Sequence, residues 1–352
     1  MHALEESLAL YALFGTEQAA SQELSLPSFA IGAPPTQPLT NRASEALCWA
    51  NLAFAQVHTG QVHDSIHSGR RALTLSQESK NGSAYIYSTL CLAHGLLDAG
   101  AYEEALVLMQ HAVAQARTLP PTIIFQRFLI ALGKTYHALQ QWEEAHRTLA
   151  EAEALAETLD LGPLRVSALS QLCMHYVLAS QWEAAYRYAL KAITVRKSSD
   201  VALIVLDFNR HYETEAFLRG GDERQAREEV HRQGKDLGPY RRFRISYLWS
   251  LAVLATWHGH SEQAINHLLE AARLAADIGL PGEQWQIQAL LGRVYEAVGQ
   301  QVQAQTAYGE AATIILGLAE CIRDEALRTN FLAGPQIQPV LQHSRTYFDP
   351  LM

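Results

Sequence analysis

Fifteen histidines are the first residues of this 352-residue chain that could do chemistry. His63 and His67 stand four apart with His58 just ahead, so two imidazoles could share a helical face, the beginning of a metal site. Two ligands without a third carboxylate or cysteine partner are a weak signal, and solvated surface histidines are the preferred reading. His258 and His260 flank Gly259 and read as exposed turn polarity. Glu103-Glu104 and Glu143-Glu144 pair carboxylates as a general acid and base would. Both pairs fall at the same slot of a repeat, however, at the opening of a helix, where negative charge complements the dipole. Arg241-Arg242-Phe243-Arg244 is a basic run able to grip a phosphate or an acidic peptide, although a solvated loop between repeats is the preferred reading. The sequence has no GxxxxGK[ST], GxGxxG, GxSxG or HExxH, so neither catalysis nor a cofactor is expected.

The elements that must position these residues recur. A turn and a short signature appear as GQVHDS at 60–65, GAYEEA at 100–105, QQWEEA at 140–145, SQWEAA at 180–185, GDERQA at 221–226, GHSEQA at 259–264 and GQQVQA at 299–304. Ahead of each stands Leu52, Leu92, Leu132, Leu172, Glu213, Leu251 or Leu291, followed by a small residue: Ala53, Ala93, Gly133, Cys173, Thr214, Ala252 or Gly292. Beyond the signatures lie Ala72, Ala112, Ala152, Ala192, Gln233, Ala271 and Ala311. Antiparallel helices approach closely only where facing side chains are short, so the Gly or Ala after each Leu is predicted to face the Ala opening the second helix. The Leu, with Tyr136, Tyr176, Phe217 or Tyr295 four residues on, supplies the buried stripe. Breakers at Asn81-Gly82, Pro120-Pro121, Gly162-Pro163, Gly238-Pro239 and Gly279 to Gly282 separate seven hairpins. Glu213, Thr214 and Gln233 break the pattern, so the fifth hairpin carries either a register slip or a local irregularity.

Hydrophobic residues make up 49% of the chain, enough for a long continuous core, and the net charge is −9. An acidic chain is repelled by phosphates and anionic lipid surfaces, so neither nucleic acid nor membrane is an expected general partner. No run approaches 18 apolar residues, and Cys48, Cys91, Cys173 and Cys321 are far apart, reading as small core residues in a reducing, cytoplasmic compartment.

Trp49-x2-Leu52-Ala53, Gly133-x2-Tyr136, the turn signatures and the later alanines resemble the tetratricopeptide repeat (TPR) family over roughly residues 43–318. The unit here is about six residues longer than that family's usual one and is similar to the sensor arms of bacterial multidomain signalling and transcription regulators. The resemblance implies an all-α, right-handed α-α superhelix whose first helices line a concave groove. The family's ligand-contact slots hold Phe54, Tyr87, His94, Arg127, Lys134, His137, Met174, His211, Glu215, Trp249, Arg293 and Glu296 here. Arg127, Lys134 and His137 form a basic centre between aromatic ends, a lining suited to a peptide or helix. Ala50 and Phe54 stand where a carboxylate clamp would need Lys or Asn, so chaperone tails are not expected as ligands.

The resulting expectation is a non-catalytic scaffold for a peptide or protein partner, fitting the regulatory arm of a larger signalling protein. The alternative is a small-molecule (inducer) sensor module of a transcription regulator. Residues 1–42 read as a lone second helix (1–14) and a Pro-containing linker, 43–318 as the solenoid, and 319–352 as a capping helix and tail. A lone helix would leave an apolar edge, a route to self-association and a sign that the chain is a piece of something larger.

Overall fold

A computed structural model of the chain describes residues 41–118, 122–198, 208–237 and 240–346. The lone helix assigned to 1–14, most of the linker, and the breakers Pro120-Pro121 and Gly238-Pro239 lie outside the described residues. Among those described there are helices and no strand. Seven hairpins follow in order: α1 (Asn41–Thr59) with α2 (Val62–Glu78), α3 (Gly82–Asp98) with α4 (Tyr102–Ala116), α5 (Ile123–Ala138) with α6 (Trp142–Thr158), and α7 (Gly162–Leu178) with α8 (Trp182–Ser198). Next come α9 (Arg210–Arg219) with α10 (Glu223–Asp236), α11 (Arg241–Trp257) with α12 (Ser261–Ile278), and α13 (Pro281–Ala297) with α14 (Gln301–Glu320). The short helices α15 (Glu325–Leu332) and α16 (Gln338–Thr346) close the chain. The first helix begins at Asn41, inside the stretch assigned to the linker.

The repeat is written in the turns. At 60, 100, 140, 180, 221, 259 and 299 the backbone enters the left-handed region, with Gly at five of these positions and Gln140 (φ 61°) and Ser180 (φ 56°) at the other two. The next residue donates its N–H back to the end of the first helix, as Gln61 does to the Gln56 carbonyl at 2.8 Å and Gln141 to that of Tyr136 at 2.8 Å. This closure satisfies carbonyls that the helix end would leave bare. On the far side of the turn, Glu103-Glu104 and Glu143-Glu144 occupy first turns of second helices, as the dipole argument requires.

Packing follows the small residues, with one adjustment. A Cβ on Gly133 would lie 2.6 Å from Leu149, and one on Gly292 2.8 Å from the Tyr308 ring. The close approach is thus to the residue one turn beyond Ala145 or Ala304, which fills the notch that glycine leaves. Leu92, Leu132, Leu172 and Leu291 are buried, as are the alanines at 72, 112, 152, 192, 271 and 311. Leu52 and Leu251 are half-buried. Cys91 and Cys173 are core residues, whereas Cys48 and Cys321 are exposed, against the reading of all four as core.

The fifth hairpin keeps register. Its misfit residues are buried and form a polar layer: Arg196 meets Glu213 at 2.8 Å, Ser170 donates to Glu213 at 3.0 Å, and Ser250 donates to Gln233 at 3.0 Å. Glu229, equally buried, accepts from Arg210 and Arg232. Arg196 and Arg210 hold the Glu213 carboxyl below the usual carboxylate range despite the opposing effect of burial, the largest single influence on it. Paired charges replace alanine packing here.

First helices pack on one another in sequence, α1 on α3, α3 on α5, and so on to α9 on α11, and α11 comes round to touch α1. The turn residues record this closure. A Cβ on Gly60 would lie 3.0 Å from Ile278, and one on Gly100 2.3 Å from Leu318. The ends of the sixth and seventh hairpins thus rest on the turns of the first and second. The superhelix returns on itself after five hairpins, with first helices inside.

Candidate functional site in the superhelix interior

The inner faces of α1, α3 and α5 assemble one cluster. Phe54 and His58 lie one helical turn apart, with ring centroids 4.4 Å apart, and the Arg127 guanidinium stands 5.9 Å from the Phe54 centroid. His58 Nδ1 is 2.8 Å from the Phe54 carbonyl, which can only accept, so Nδ1 carries the proton. Burial, aided by the charges of Arg127, Arg242 and Lys134, lowers the His58 pKa to about 4. His94 is likewise held far below the ordinary imidazole value by burial first, then by Lys134 and Arg127. Tyr87 donates to Asn51 at 2.9 Å, and burial pushes the neighbouring Cys91 thiol up to about 12, so it is a poor nucleophile. The lining is therefore two cations beside neutral imidazoles, a phenol and a thiol.

Where the superhelix closes, α11 and α13 meet α3. Arg242 is only 3% exposed, 3.5 Å from Asp98, and also donates to Glu283. Its guanidinium lies 4.2 Å from the Phe208 ring centroid. Burial raises the Asp98 pKa to about 6 even though Arg242 opposes it. The basic run read as a solvated loop is instead the first turn of α11, and its central arginine is a buried tie.

A second cluster lies on α9, α11 and α13. His211 stacks on Trp249 with centroids 4.0 Å apart, and Tyr212 donates to Gln286 at 3.0 Å. Burial lowers the His211 pKa to about 3 and raises that of Glu215, the latter against Arg219 and Arg293. Met174 is buried beside Val177 and Tyr212, Arg293 is exposed, and Glu296 accepts from Tyr308 at 2.9 Å.

The structure brings Phe54, Tyr87, His94, Arg127 and Lys134 together, and separately His211, Glu215, Trp249 and Arg293. It takes His137 out of the basic centre. His137 is buried at the end of α5, 3.0 Å from His175 and against Trp142, and its pKa is lowered to about 3, chiefly by burial. His63 and His67 are exposed while His58 is buried, and among the described residues no group of three or more His, Cys, Asp and Glu is arranged for a metal. Sequence reading placed His58 beside His63 and His67 rather than in this cluster and did not name Asp98, although each stands four residues beyond a named slot, after Phe54 and His94, on the same face. Arg242 and Glu283 gave no such signal, because their partners are distant in sequence.

No protein-family model and no curated protein matches the sequence. Among solved structures the chain is similar to NprR in complex with its cognate peptide NprX, with a TM-score of 0.54 and 12% identity, covering 91% of this chain and 87% of that one. It is also similar to the APC/C hetero-tetramer Cut9-Hcn1, with a TM-score of 0.51 and 16% identity over 85% of this chain, which spans 55% of that one. A Rap protein complexed with Competence and Sporulation Factor gives 0.48 and 15% identity, over 81% of this chain and 67% of that one. The likenesses to NprR and Cut9-Hcn1 establish a TPR-like helical-repeat superhelix.

Proposed function

We propose that this protein is a non-catalytic scaffold that holds a peptide, or a peptide-like segment of a protein partner, inside its superhelix. The observation that carries the reading is the inner surface of α1, α3 and α5. There Phe54, Tyr87, Arg127 and Lys134 offer aromatic faces and cations beside imidazoles kept neutral by burial. Aromatic and guanidinium groups are efficient interface anchors, and an extended peptide can meet side chains from several first helices at once. The likeness to NprR, which was solved with its cognate peptide, supports a peptide rather than a small-molecule inducer as occupant. The finer reading, the regulatory arm of a larger signalling protein working in the cytoplasm, is part of this proposal. The partner class is protein or peptide. No described helix is long and apolar enough to cross a membrane.

Selection of a random-peptide library on the immobilised chain tests this reading. Enriched peptides are expected to bind at least about tenfold more weakly to the Arg127→Glu/Lys134→Glu variant, a loss of about 1.4 kcal/mol. Equal binding would remove the interior assignment, and failure of any peptide to enrich would contradict the peptide reading itself.

A further inference from the structure

The axial contacts run in series. Gly60 takes the end of the sixth hairpin and Gly100 the end of the seventh; the next turn in the series is Gln140, forty residues on. An eighth hairpin would rest there, and the chain has none among its described residues. The segment between α15 and α16 fills the place instead. A Cβ on Gly334 would lie 2.3 Å from Cγ of Gln140, and the Gln336 N–H donates to Gln140 Oε1 at 3.2 Å. The Gln336 side chain donates to the Leu178 carbonyl at 3.1 Å, reaching the fourth hairpin. Phe331, fully buried, lies 6.2 Å from the Tyr102 ring, and the Arg323 N–H donates to Glu103 at 2.6 Å in the second. One short segment therefore fastens to three consecutive hairpin turns.

The fastening combines apolar packing with polar contacts. Toward α14 it is a true core: Ile337, Val340 and Leu341 bury with Tyr308, Ile315 and Leu318, and His343 stacks on Tyr308 at 4.8 Å. Toward the third hairpin the same cluster continues through Tyr136 and Leu139, and the glycine notch and the Gln336 hydrogen bonds to Gln140 and Leu178 add directional contacts to it. Gln140 is left-handed where five of the seven turns use Gly. At this turn the side chain supplies the acceptor for Gln336, which glycine could not.

We propose that residues 322–341 are a clasp: they occupy the position of an eighth hairpin on the third and fourth hairpins and hold the superhelix at its closed pitch. With the clasp seated, the third and fourth hairpins cannot move axially relative to the seventh. With it released, they can, because a solenoid bends by small shifts at every interface. The inference stands apart from the identity of the ligand.

The test is a distance measured in the full chain, with spin labels at the exposed positions Glu183 and Gln300 and the exposed Cys48 and Cys321 replaced by serine. The parent is expected to give one narrow distance distribution. Gly334→Ala drives a methyl into Gln140 and is expected to add a second, longer distance; Gln140→Gly in the same chain clears the notch but also lacks the acceptor, and is expected to reduce the shift to that of Gln140→Ala alone. Gln140→Ala, which adds no volume and removes the acceptor, is expected to move the distribution the same way by a smaller amount and covers the case in which Gly334→Ala fails to fold. A distribution unchanged in both Gly334→Ala and Gln140→Ala overturns the proposal, as does a Gly334→Ala shift that Gln140→Gly leaves undiminished.

Discussion

Arg242 lies 3.5 Å from Asp98, a residue 144 positions earlier in the chain, and so ties the sixth hairpin to the second. The same guanidinium reaches Glu283 at the start of the seventh. Two carboxylates share one cation at the point where the superhelix meets itself.

Removing that cation leaves both carboxylates facing one another in a largely buried site. Breaking a buried pair from one side costs about 3–5 kcal/mol. Arg242→Met is expected to lower the urea midpoint by a corresponding amount, more than any change at the exposed Arg241 or Arg244. Equal effects at the three arginines would contradict the tie.

Asp98 gives a pH signature. Its pKa is about 6 in the fold against about 3.8 in the unfolded chain. Between those values the folded protein keeps a proton that the unfolded chain releases, so this group's contribution falls as pH rises through the window. Asp98→Asn lacks the effect. Its stability relative to the parent is expected to rise from pH 4 to pH 6 and level off above, and a flat difference across that window would contradict the assignment.

His211 titrates in the opposite sense. Its pKa of about 3 in the fold lies below the ordinary 6.5, so the unfolded chain binds the proton first and stability is lost as pH falls below about 6.5. His211→Phe retains a ring against Trp249 and removes the titration. Its advantage over the parent is expected to grow by up to about 1.4 kcal/mol per pH unit between pH 6.5 and pH 5. Guanidinium unfolding at the two pH values measures it, and an equal advantage at both would contradict a neutral buried imidazole.

Two glycines of the last hairpin should respond oppositely to alanine. Gly292→Ala places a methyl 2.8 Å from the Tyr308 ring, an overpacking expected to cost about 1–3 kcal/mol. At Gly309, within α14, a methyl would find nothing within 4 Å, and Gly309→Ala is expected to add up to about 1 kcal/mol by restricting the unfolded chain. Thermal midpoints shifting in the same direction would contradict the notch-and-filler packing.

What could be read from the residues is what repeats locally. The hairpins, their turns and most of the leucine and alanine slots follow from helical spacing and the need for close approach, which leave a mark every 40 residues or so. The closure does not. Arg242 looks solvated beside Arg241 and Arg244, because nothing near it in sequence announces Asp98. Glu213, Thr214 and Gln233 look like a slipped register, because a buried ion pair obeys no apolar pattern. His137 sits at a ligand slot by position, yet its ring turns to His175 and Trp142. Gln140 resembles any turn residue until Gly334 is seen against it.

The most direct measurement is photocrosslinking by a library-selected peptide carrying a benzophenone at successive positions, with the attachment sites mapped by mass spectrometry. Attachment is expected on the inner faces of α1, α3 and α5, within reach of Phe54, Tyr87, Arg127 and Lys134. Attachment confined to the outer helices, α2, α4 and α6, would contradict an interior site.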